Sequence, residues 1–294
     1  MMNSVSKITI LFLVVISLTC CPTTKAQIRF TDTMEFAYPK PVRTVLIDGI
    51  DYVGGCKIEI FFHEANFLVV TREQSRWFPF YPGEHYEQQI IISGSHGDDD
   101  IDVYGTNPDI EDLSLGIYGL NGRDNIRINS DLPTFISGGA MDDRLYGGFA
   151  ADRISGGPGN DIIEGRAGDD NLSGDAGDDY IWGHNGEDQL AGGPGADSLD
   201  GGADRDVLWG ASPGGDILCS GWQNQVDFDN DRMTGGPAAD LFHSAYYRYR
   251  AISLPFFPIP YAKKVYMERE TIVDLTAEDT AKHHVVIFVT LLPL

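Results

Sequence analysis

The chain has 294 residues and a formal net charge of −23 at pH 7. Such an acidic chain repels polyanions, which excludes nucleic acid and anionic membrane surfaces as partners held by charge. The chain has 34 glycines, and the regular spacing of its glycines and aspartates is the main feature of the sequence.

Residues 1–26 have the features of a secretory signal peptide. Lys7 supplies the positive charge, residues 8–18 form an apolar run, and residues 24–26 offer a small-residue cleavage site. The apolar run is too short to span a bilayer comfortably. The leader therefore predicts an extracellular destination, and its removal leaves a mature chain that is still more acidic.

The cysteines leave two questions open. Cys20 and Cys21 directly follow the apolar run, so anchoring of the chain to the cell envelope by a lipid at either residue is the alternative to full secretion. We expect the protein to associate with a membrane only if it carries this lipid anchor. Cys56 and Cys219 remain after cleavage, and they either form one disulfide in an oxidising compartment or stay apart.

Residues 27–92 lack the glycine pattern and predict a small β domain or an N-terminal cap. Residues 42–47 and 50–53 are β-rich and flank Asp48-Gly49, which is a hairpin signal. The end of a solenoid exposes unpaired strands, so a segment of this kind would cover it. The segment is too short for most catalytic domains.

Two incomplete catalytic motifs occur, and neither predicts an enzyme. His63 and Glu64 begin an H-E-x-x-H zinc motif, but Phe67 stands where the second histidine ligand is needed. Residues 210–214 match the G-x-S-x-G string of lipases around Ser212, yet they lie inside the repeat and no helix follows. The prediction is a protein without catalytic activity.

A nine-residue unit is repeated from residue 138 to residue 218. Glycine occupies position one and often positions two and four, which predicts tight turns with positive φ or a close approach of the backbone to a ligand. Aspartate occupies position six, and an aliphatic residue occupies position eight. Each unit predicts a six-residue turn followed by a three-residue strand whose middle side chain points inward, and two units would close one coil. The aspartates at position six are Asp143, Asp152, Asp161, Asp170, Asp179, Asp188, Asp197 and Asp206.

The last copy of this block is irregular. Its aspartate, Asp216, comes one place late, and the pattern assigns Ile217 to the inward-facing position. Asp216 is included among the candidate metal ligands.

Weaker copies extend the repeat on both sides, so that the predicted roll spans residues 93–243. Before the clean block, Asp99 and Asp124 hold position six, and the predicted roll starts near Ile90. After the block, Asp231 and Asp240 hold position six. All four are further candidate metal ligands.

Stacked coils would place these carboxylates in rows of like charge. Coils in a β-solenoid lie ~4.8 Å apart, and two carboxylates at that distance repel each other by roughly 1 kcal/mol in water, more at the lower effective dielectric of a protein. A cation between the coils removes this repulsion. Carboxylates and backbone carbonyls in a flexible glycine turn suit Ca²⁺ better than Mg²⁺, which demands a stricter octahedron.

The unit resembles the calcium-binding nonapeptide G-G-x-G-x-D-x-U-x of RTX (hemolysin-type) proteins. The resemblance implies an all-β fold, a right-handed parallel β-roll with several Ca²⁺ ions between the turns of repeats n and n+2. One row of ligands would be Asp143, Asp161, Asp179 and Asp197. The other row would be Asp152, Asp170, Asp188 and Asp206. Nine clean repeats leave at most about seven such sites.

Residues 244–294 are non-repetitive and rich in tyrosine, and they predict a C-terminal β cap. The whole pattern predicts a secreted calcium-binding protein that folds on meeting extracellular calcium and serves as a structural or adhesin-like surface module. The alternative is an accessory or tail-like part of an RTX-type secreted enzyme or toxin. An extracellular protein or glycan is the expected partner, with the C-terminal tyrosines as one glycan-binding possibility.

Overall fold

The computed structural model describes most of the chain between Ile28 and Ala211 and shorter pieces beyond it. The described residues are 28–35, 42–49, 55–63, 66–72, 74–80, 87–106, 113–211, 215–219, 232–234, 241–243, 248–252, 261–265, 271–273 and 280–281. All regular elements in these ranges are β-strands. The described part of the chain has no helix of the length and apolar character needed to cross a membrane.

The strands before the clean repeats are β1 (Arg29–Glu35), β2 (Val42–Asp48), β3 (Lys57–His63), β4 (Asn66–Thr71), β5 (Ser75–Pro79), β6 (Glu87–Ser93), β7 (Asp100–Gly105), β8 (Leu113–Asn121), β9 (Asn125–Ser130) and β10 (Thr134–Ala140). The clean repeats form β11 (Arg144–Tyr146), β12 (Arg153–Pro158), β13 (Ile162–Ala167), β14 (Asn171–Ala176), β15 (Tyr180–Asn185), β16 (Gln189–Gly193), β17 (Ser198–Ala203), β18 (Val207–Ala211) and β19 (Ile217–Cys219). Beyond them lie β20 (Arg232–Thr234), β21 (Leu241–His243), β22 (Arg248–Ile252), β23 (Tyr261–Val265), β24 (Thr271–Val273) and β25 (Thr280–Ala281).

Successive strands of the repeat alternate between two parallel sheets. One sheet runs in the order β6, β8, β10, β12, β14, β16, β18, β20, β24, and the other runs from β7 through β9, β11, β13, β15, β17 and β19 to β21 and β25. Within a sheet each residue pairs with the residue one coil later, as Ile154 does with Leu172 and Ile163 with Ile181. Two nonapeptides therefore form one coil, and the protein is a parallel β-roll.

The space between the sheets is filled by the aliphatic residues of position eight. Each of them in the clean block is at most 1% exposed, from Leu145 at the start to Leu208 near the end. Complete burial of one such side chain contributes about 2–3 kcal/mol. Because only one side chain per repeat does this, the core is a narrow column and the turns must contribute to stability as well.

In the last copy of the clean block, the residue predicted from the sequence to face inward is wrong. Leu218, and not Ile217, occupies the core: Leu218 is fully buried and pairs with Leu199, whereas Ile217 is 39% exposed. The late aspartate explains this, because an extra residue in the turn shifts the whole strand by one position. After the irregular stretch Met233 returns to the column in register with Leu208.

The parallel sheets begin one coil earlier than the glycine pattern indicates. Strand β2 pairs in parallel with β6, and β3 pairs in parallel with β7. The expected hairpin after Asp48 is wrong, because both edges of β2 are occupied, by β6 and by the antiparallel strand β1. Residues 50–54 themselves lie outside the described residues.

Antiparallel strands cover the N-terminal end of the roll. Strand β1 extends one sheet, and β4 and β5 extend the other. A cluster of phenylalanines fills the space beneath them: Phe67 stacks on Phe78 at 5.1 Å between ring centroids and lies 5.9 Å from Phe62. Phe67 is 1% exposed, so the position of the missing histidine ligand is part of this core.

Arg43 joins the strands of this end. The side chain is buried, and its guanidinium donates to both carboxylate oxygens of Asp32 (2.9 and 2.7 Å) and to the carbonyl oxygen of Pro79 (2.6 Å). These contacts connect β1, β2 and β5. A bidentate pair of this kind holds the strands at a fixed distance and angle.

Cys56 and Cys219 do not form a disulfide. Cys56 precedes β3, and β19 lies seven strands away in the same sheet, a separation of roughly 34 Å at ~4.8 Å per strand. A disulfide requires Cα atoms within about 7 Å.

Candidate metal centre

The position-six aspartates stack in two rows along the roll. Row one, in the turns that lead from the β6-containing sheet to the β7-containing sheet, consists of Asp99, Asp124, Asp143, Asp161, Asp179, Asp197 and Asp216. Row two, in the opposite turns, consists of Asp152, Asp170, Asp188 and Asp206. Each of these side chains is at most 3% exposed. The structure thus brings the sequence-predicted residues together in the two predicted rows.

One oxygen of each carboxylate bonds to the neighbouring coil. The backbone N–H of Asp143 donates to Oδ1 of Asp161 at 2.7 Å, and the N–H of Asp161 donates to Oδ1 of Asp179 at 2.8 Å. In row two the N–H of Asp152 donates to Oδ1 of Asp170 at 2.7 Å. The same bond recurs along both rows, so the side chains form a ladder that ties coil to coil.

The second oxygen is different. In seven of these aspartates Oδ2 is buried and has no hydrogen-bond partner among the described residues; they are Asp124, Asp143, Asp161, Asp170, Asp179, Asp188 and Asp197. An ionised carboxylate oxygen taken out of water without a partner is strongly unfavourable. A row of such atoms between stacked turns is the arrangement that a cation would stabilise.

Burial raises the pKa of these carboxyl groups. Removal from water is the largest cause, opposed by the backbone N–H bond and reinforced by the neighbouring aspartates, and the pKa of Asp143 and of Asp170 rises to about 8. The pKa of Asp161 rises to about 7 for the same main reason. Near neutral pH the row therefore needs either protons or another positive charge.

Glycine is required at position one by contact with the aspartate rather than by a positive φ. A Cβ added to Gly156 would lie 2.2 Å from Oδ2 of Asp161 and 2.8 Å from the carbonyl oxygen of Gly174 in the next coil. In the clean block the glycines with positive φ stand at positions two and four. The sequence suggested two reasons for these glycines, a tight turn with positive φ or a close approach of the backbone to a ligand. The tight turn with positive φ does not apply at position one. The missing side chain there leaves room for Oδ2.

Most residues at positions two and four adopt positive φ and bring the turns of successive coils into close contact. Gly157 has φ 111°, and a Cβ on it would lie 2.0 Å from the carbonyl oxygen of Gly139 one coil earlier. Backbone carbonyl oxygens thus face the next turn along each row. Together with the carboxylates they form an all-oxygen environment, which is the ligand type that calcium prefers.

The first aspartate of each row is already bonded to protein donors. Oδ1 of Asp99 accepts from the Oγ of Ser95 at 2.7 Å and from the N–H of Cys56 at 2.5 Å, while its Oδ2 accepts from the N–H of Ser95 at 2.5 Å. Oδ2 of Asp152 accepts from the N–H of Gly148 at 2.6 Å. These two carboxylates therefore have less need of a cation than the aspartates that follow them.

A second ladder, at position five, was missed by the sequence analysis. Oδ1 of Asp142 accepts from the N–H of Asn160 at 3.1 Å, and Oδ1 of Asn160 accepts from the N–H of Asp178 at 3.0 Å. These side chains are exposed and add acidity at the outside of row one. The signal was present in the sequence, because Asp, Asn or Glu recurs just before the position-six aspartate.

Side chains alone do not assemble a metal site in the part of the chain that the structure describes. No group of three or more His, Cys, Asp or Glu residues there is close enough to hold one ion. Any ion in the rows would need the backbone carbonyls as well. Two candidate ligands, Asp231 and Asp240, lie outside the described residues, as do the leader with Cys20 and Cys21 and most of the C-terminal tyrosines.

A family model for the RTX calcium-binding nonapeptide repeat matches the chain in four overlapping copies, at residues 137–172, 155–190, 164–198 and 182–212. The chain carries RTX calcium-binding repeats. Together the matches cover residues 137–212, most of the clean block, where the unpartnered carboxylate oxygens are concentrated. A search of curated proteins found no significant match. The RTX repeats assign calcium as the ligand of this protein.

Proposed function

We propose that this is a secreted protein whose RTX roll folds when it meets extracellular calcium, with the ions between successive aspartates of rows one and two. The observation that supports the proposal is the recurrence of a buried Oδ2 without a partner among the described residues, next to a glycine that lacks a Cβ. An unpartnered charge repeated in coil after coil makes the ion-free roll unstable.

The proposal places calcium chiefly in the clean block. Both rows there combine a carboxylate with turn carbonyls from the adjacent coil, and at most about seven gaps lie between the stacked turns. The earlier coil around Asp99 uses Ser95 and Cys56 as donors instead. We expect that coil to be folded before the ions bind.

Calcium dependence would link folding to location. Extracellular calcium sites commonly have dissociation constants of ~10⁻⁴–10⁻³ M. A roll with such sites would stay unfolded in the cytosol, pass through export as an open chain and fold outside. In this proposal, the leader in residues 1–26 directs export of the chain.

A surface-interaction role is supported by aromatic pairs on the outer faces of both sheets. Tyr118 and Phe135, each 37% exposed, lie 5.6 Å apart between ring centroids on one sheet. Tyr180, 53% exposed, lies 6.1 Å from Trp182 on the other. Exposed ring pairs on a stiff scaffold favour binding of an extracellular protein or glycan, as in an adhesin-like module. The proposal assigns no catalytic step.

A calcium titration of the protein, followed by far-UV circular dichroism with a parallel ion count, tests the central claim. The expected result is a cooperative coil-to-β transition with several Ca²⁺ ions bound. Magnesium at equal concentration should not produce it, because Mg²⁺ demands a stricter octahedron and keeps its waters. A fully folded protein in chelator that takes up no calcium would overturn the proposal.

The surface role has a separate test. Soluble glycans and cell-surface proteins are presented to the calcium-loaded protein and to its Tyr180→Ser and Phe135→Ser variants. Binding that is lost in either variant, with the ion count unchanged, supports an interaction face. Equal binding by all three proteins would show that the aromatic pairs do not form an interaction face.

A further inference from the structure

The head of row two lacks a carboxylate that the later turns supply. Asp152 is the first aspartate of this row, and the residue at the same place one coil earlier is Thr134, whose N–H donates to Oδ1 of Asp152 at 2.7 Å. The hydroxyl of Thr134 donates to the carbonyl oxygen of Leu132 and carries no charge. The space between these two turns, the head gap, is therefore bordered by one position-six carboxylate, whereas the later gaps are bordered by two.

An arginine of the following coil reaches the head gap. Nη1 of Arg166 donates to the carbonyl oxygen of Ile128 at 2.8 Å and to that of Gly147 at 3.1 Å. Ile128 and Gly147 follow the paired positions of β9 and β11, so their carbonyl groups lie on successive coils, one on each side of the head gap. A single positively charged nitrogen thus joins the two coils.

The surroundings of Arg166 hold its charge at this place. Its guanidinium carbon lies 5.4 Å from the ring centroid of Tyr146, a cation–π distance. Burial raises the pKa of Asp152 to about 6, while the backbone N–H bonds to this carboxylate and the positive charge of Arg166 oppose the rise. The turn itself does not require arginine, because Gly148 and Gly202 occupy the same position in other row-two repeats.

We propose that Arg166 is a cation supplied by the chain, which closes the head of row two where the later gaps take calcium. The inference rests on the proposed function and adds a residue that sets its calcium threshold. The guanidinium is attached to the chain, so its charge is present at any calcium concentration. The coil that contains Asp152 needs no ion at its head, and the roll folds at a lower calcium concentration than it would without this arginine.

Calcium titrations of Arg166→Gln and Arg166→Lys, followed by far-UV circular dichroism, test the proposal. Glutamine keeps a donor but has no charge, and charge-assisted hydrogen bonds are roughly twice as strong as neutral ones. At the calcium concentration that folds half of the wild type, the folding equilibrium constant of Arg166→Gln should be lower by about fivefold or more. Arg166→Lys should stay within about twofold of the wild type, because both bonds come from one nitrogen and an ammonium group has three donors.

Arg205→Gln is the matched control. Arg205 also lies in a row-two turn, but its side chain is 58% exposed and pairs with Glu187, which is 55% exposed. Exposed pairs contribute little to stability, so the folding equilibrium constant of this variant should stay within about twofold of the wild type. Ion counts in saturating calcium should be equal in all four proteins, because the head gap holds no ion in the wild type.

The wild-type titration separates the two proposals. If the wild type takes up no calcium, the proposed function fails, and this inference fails with it. If the wild type responds to calcium but Arg166→Gln follows the same curve, or if Arg166→Lys loses as much as Arg166→Gln, only this inference is overturned. Loss of an ion in Arg166→Gln would also overturn it, because Arg166 would then support a calcium site rather than replace one.

Arg166→Lys decides the matter if Arg166→Gln does not fold at any calcium concentration. Folding of Arg166→Lys along the wild-type curve would then support the role of the charge. Failure of Arg166→Lys to fold would refute it, since the charge would be present without its effect.

Discussion

The N–H of Asp143 donates to Oδ1 of Asp161, 2.7 Å away in the next coil, while Oδ2 of the same carboxylate has no partner among the described residues. Oδ1 of Asp161 therefore holds two coils together, whereas its buried Oδ2 makes the stacking of these coils unfavourable without a cation. This division is repeated along both rows. It predicts that substitutions in the rows act in opposite directions with and without calcium.

Replacement of Asp161 by Asn keeps an oxygen that can accept from Asp143 but removes the charge. In calcium, at least one bound ion should be lost and the thermal midpoint should fall. In chelator at pH 8, the variant should be more stable than the wild type by about 1–3 kcal/mol, since a buried charge is gone. Ion counts and thermal denaturation in calcium measure the first effect. Far-UV circular dichroism in chelator measures the second as the fraction of protein that keeps the β fold.

Asp142→Asn is the matched control for this substitution. Asp142 lies next to the row, but its side chain is 51% exposed, and asparagine can still accept from the N–H of Asn160. Its effect should stay within about 0.5 kcal/mol in either condition. A loss of stability in chelator for Asp161→Asn would contradict the proposed role of Oδ2.

Gly156→Ala tests the space that position one leaves for the carboxylate. The new Cβ would lie 2.2 Å from Oδ2 of Asp161, so the variant should lose about 1–3 kcal/mol or more and bind fewer ions. At Gly116 the nearest atom to an added Cβ is 3.4 Å away, in the side chain of Tyr118. Gly116→Ala should remain within about 1 kcal/mol of the wild type, and an equal effect at both glycines would refute the steric explanation.

The ion-free roll should become more stable as the pH falls from 8 to 5. The pKa of Asp143 and of Asp170 is about 8 in the folded chain, well above its value of about 3.9 in an unfolded chain. Between these values the folded state binds more protons than the unfolded state, so stability falls as the pH rises.

Far-UV circular dichroism of the calcium-depleted protein at several pH values measures this dependence as the fraction of protein that keeps the β fold. The calcium-loaded protein serves as the control, and its stability should vary less with pH in the upper half of the range, because the ion then neutralises the carboxylates. Greater stability of the depleted protein at pH 8 than at pH 5 would contradict the prediction.

Arg43→Ala should destabilise the N-terminal end by about 1–3 kcal/mol, because it removes the buried donor to the carbonyl of Pro79 and to Asp32, whose side chain is 37% exposed and partly hydrated. Arg43→Lys should recover only part of this loss, since an ammonium group cannot form the bidentate pair. Arg123, 61% exposed in its pair with Asp142, is the control, and its replacement should change stability by less than about 1 kcal/mol. Thermal denaturation in calcium distinguishes the three variants.

Much of the roll could be predicted because its period is short and nearly unbroken. One inward-facing residue and one aspartate in every nine residues are enough to place Ile163 over Ile181 and Asp161 over Asp179. The same reasoning failed where a single inserted residue changed the phase, at Ile217 and Leu218. A pattern gives the average spacing, whereas burial selects which of two adjacent apolar side chains turns inward.

The sequence by itself determined the repeat, its two aspartate rows and calcium as the ligand type, because those depend on local order in the chain. Only the tertiary structure decided that β2 and β3 join the roll and that position-one glycines make room for Oδ2. These contacts depend on which coil stacks on which, and that register is set by hydrogen bonds between residues far apart in the chain.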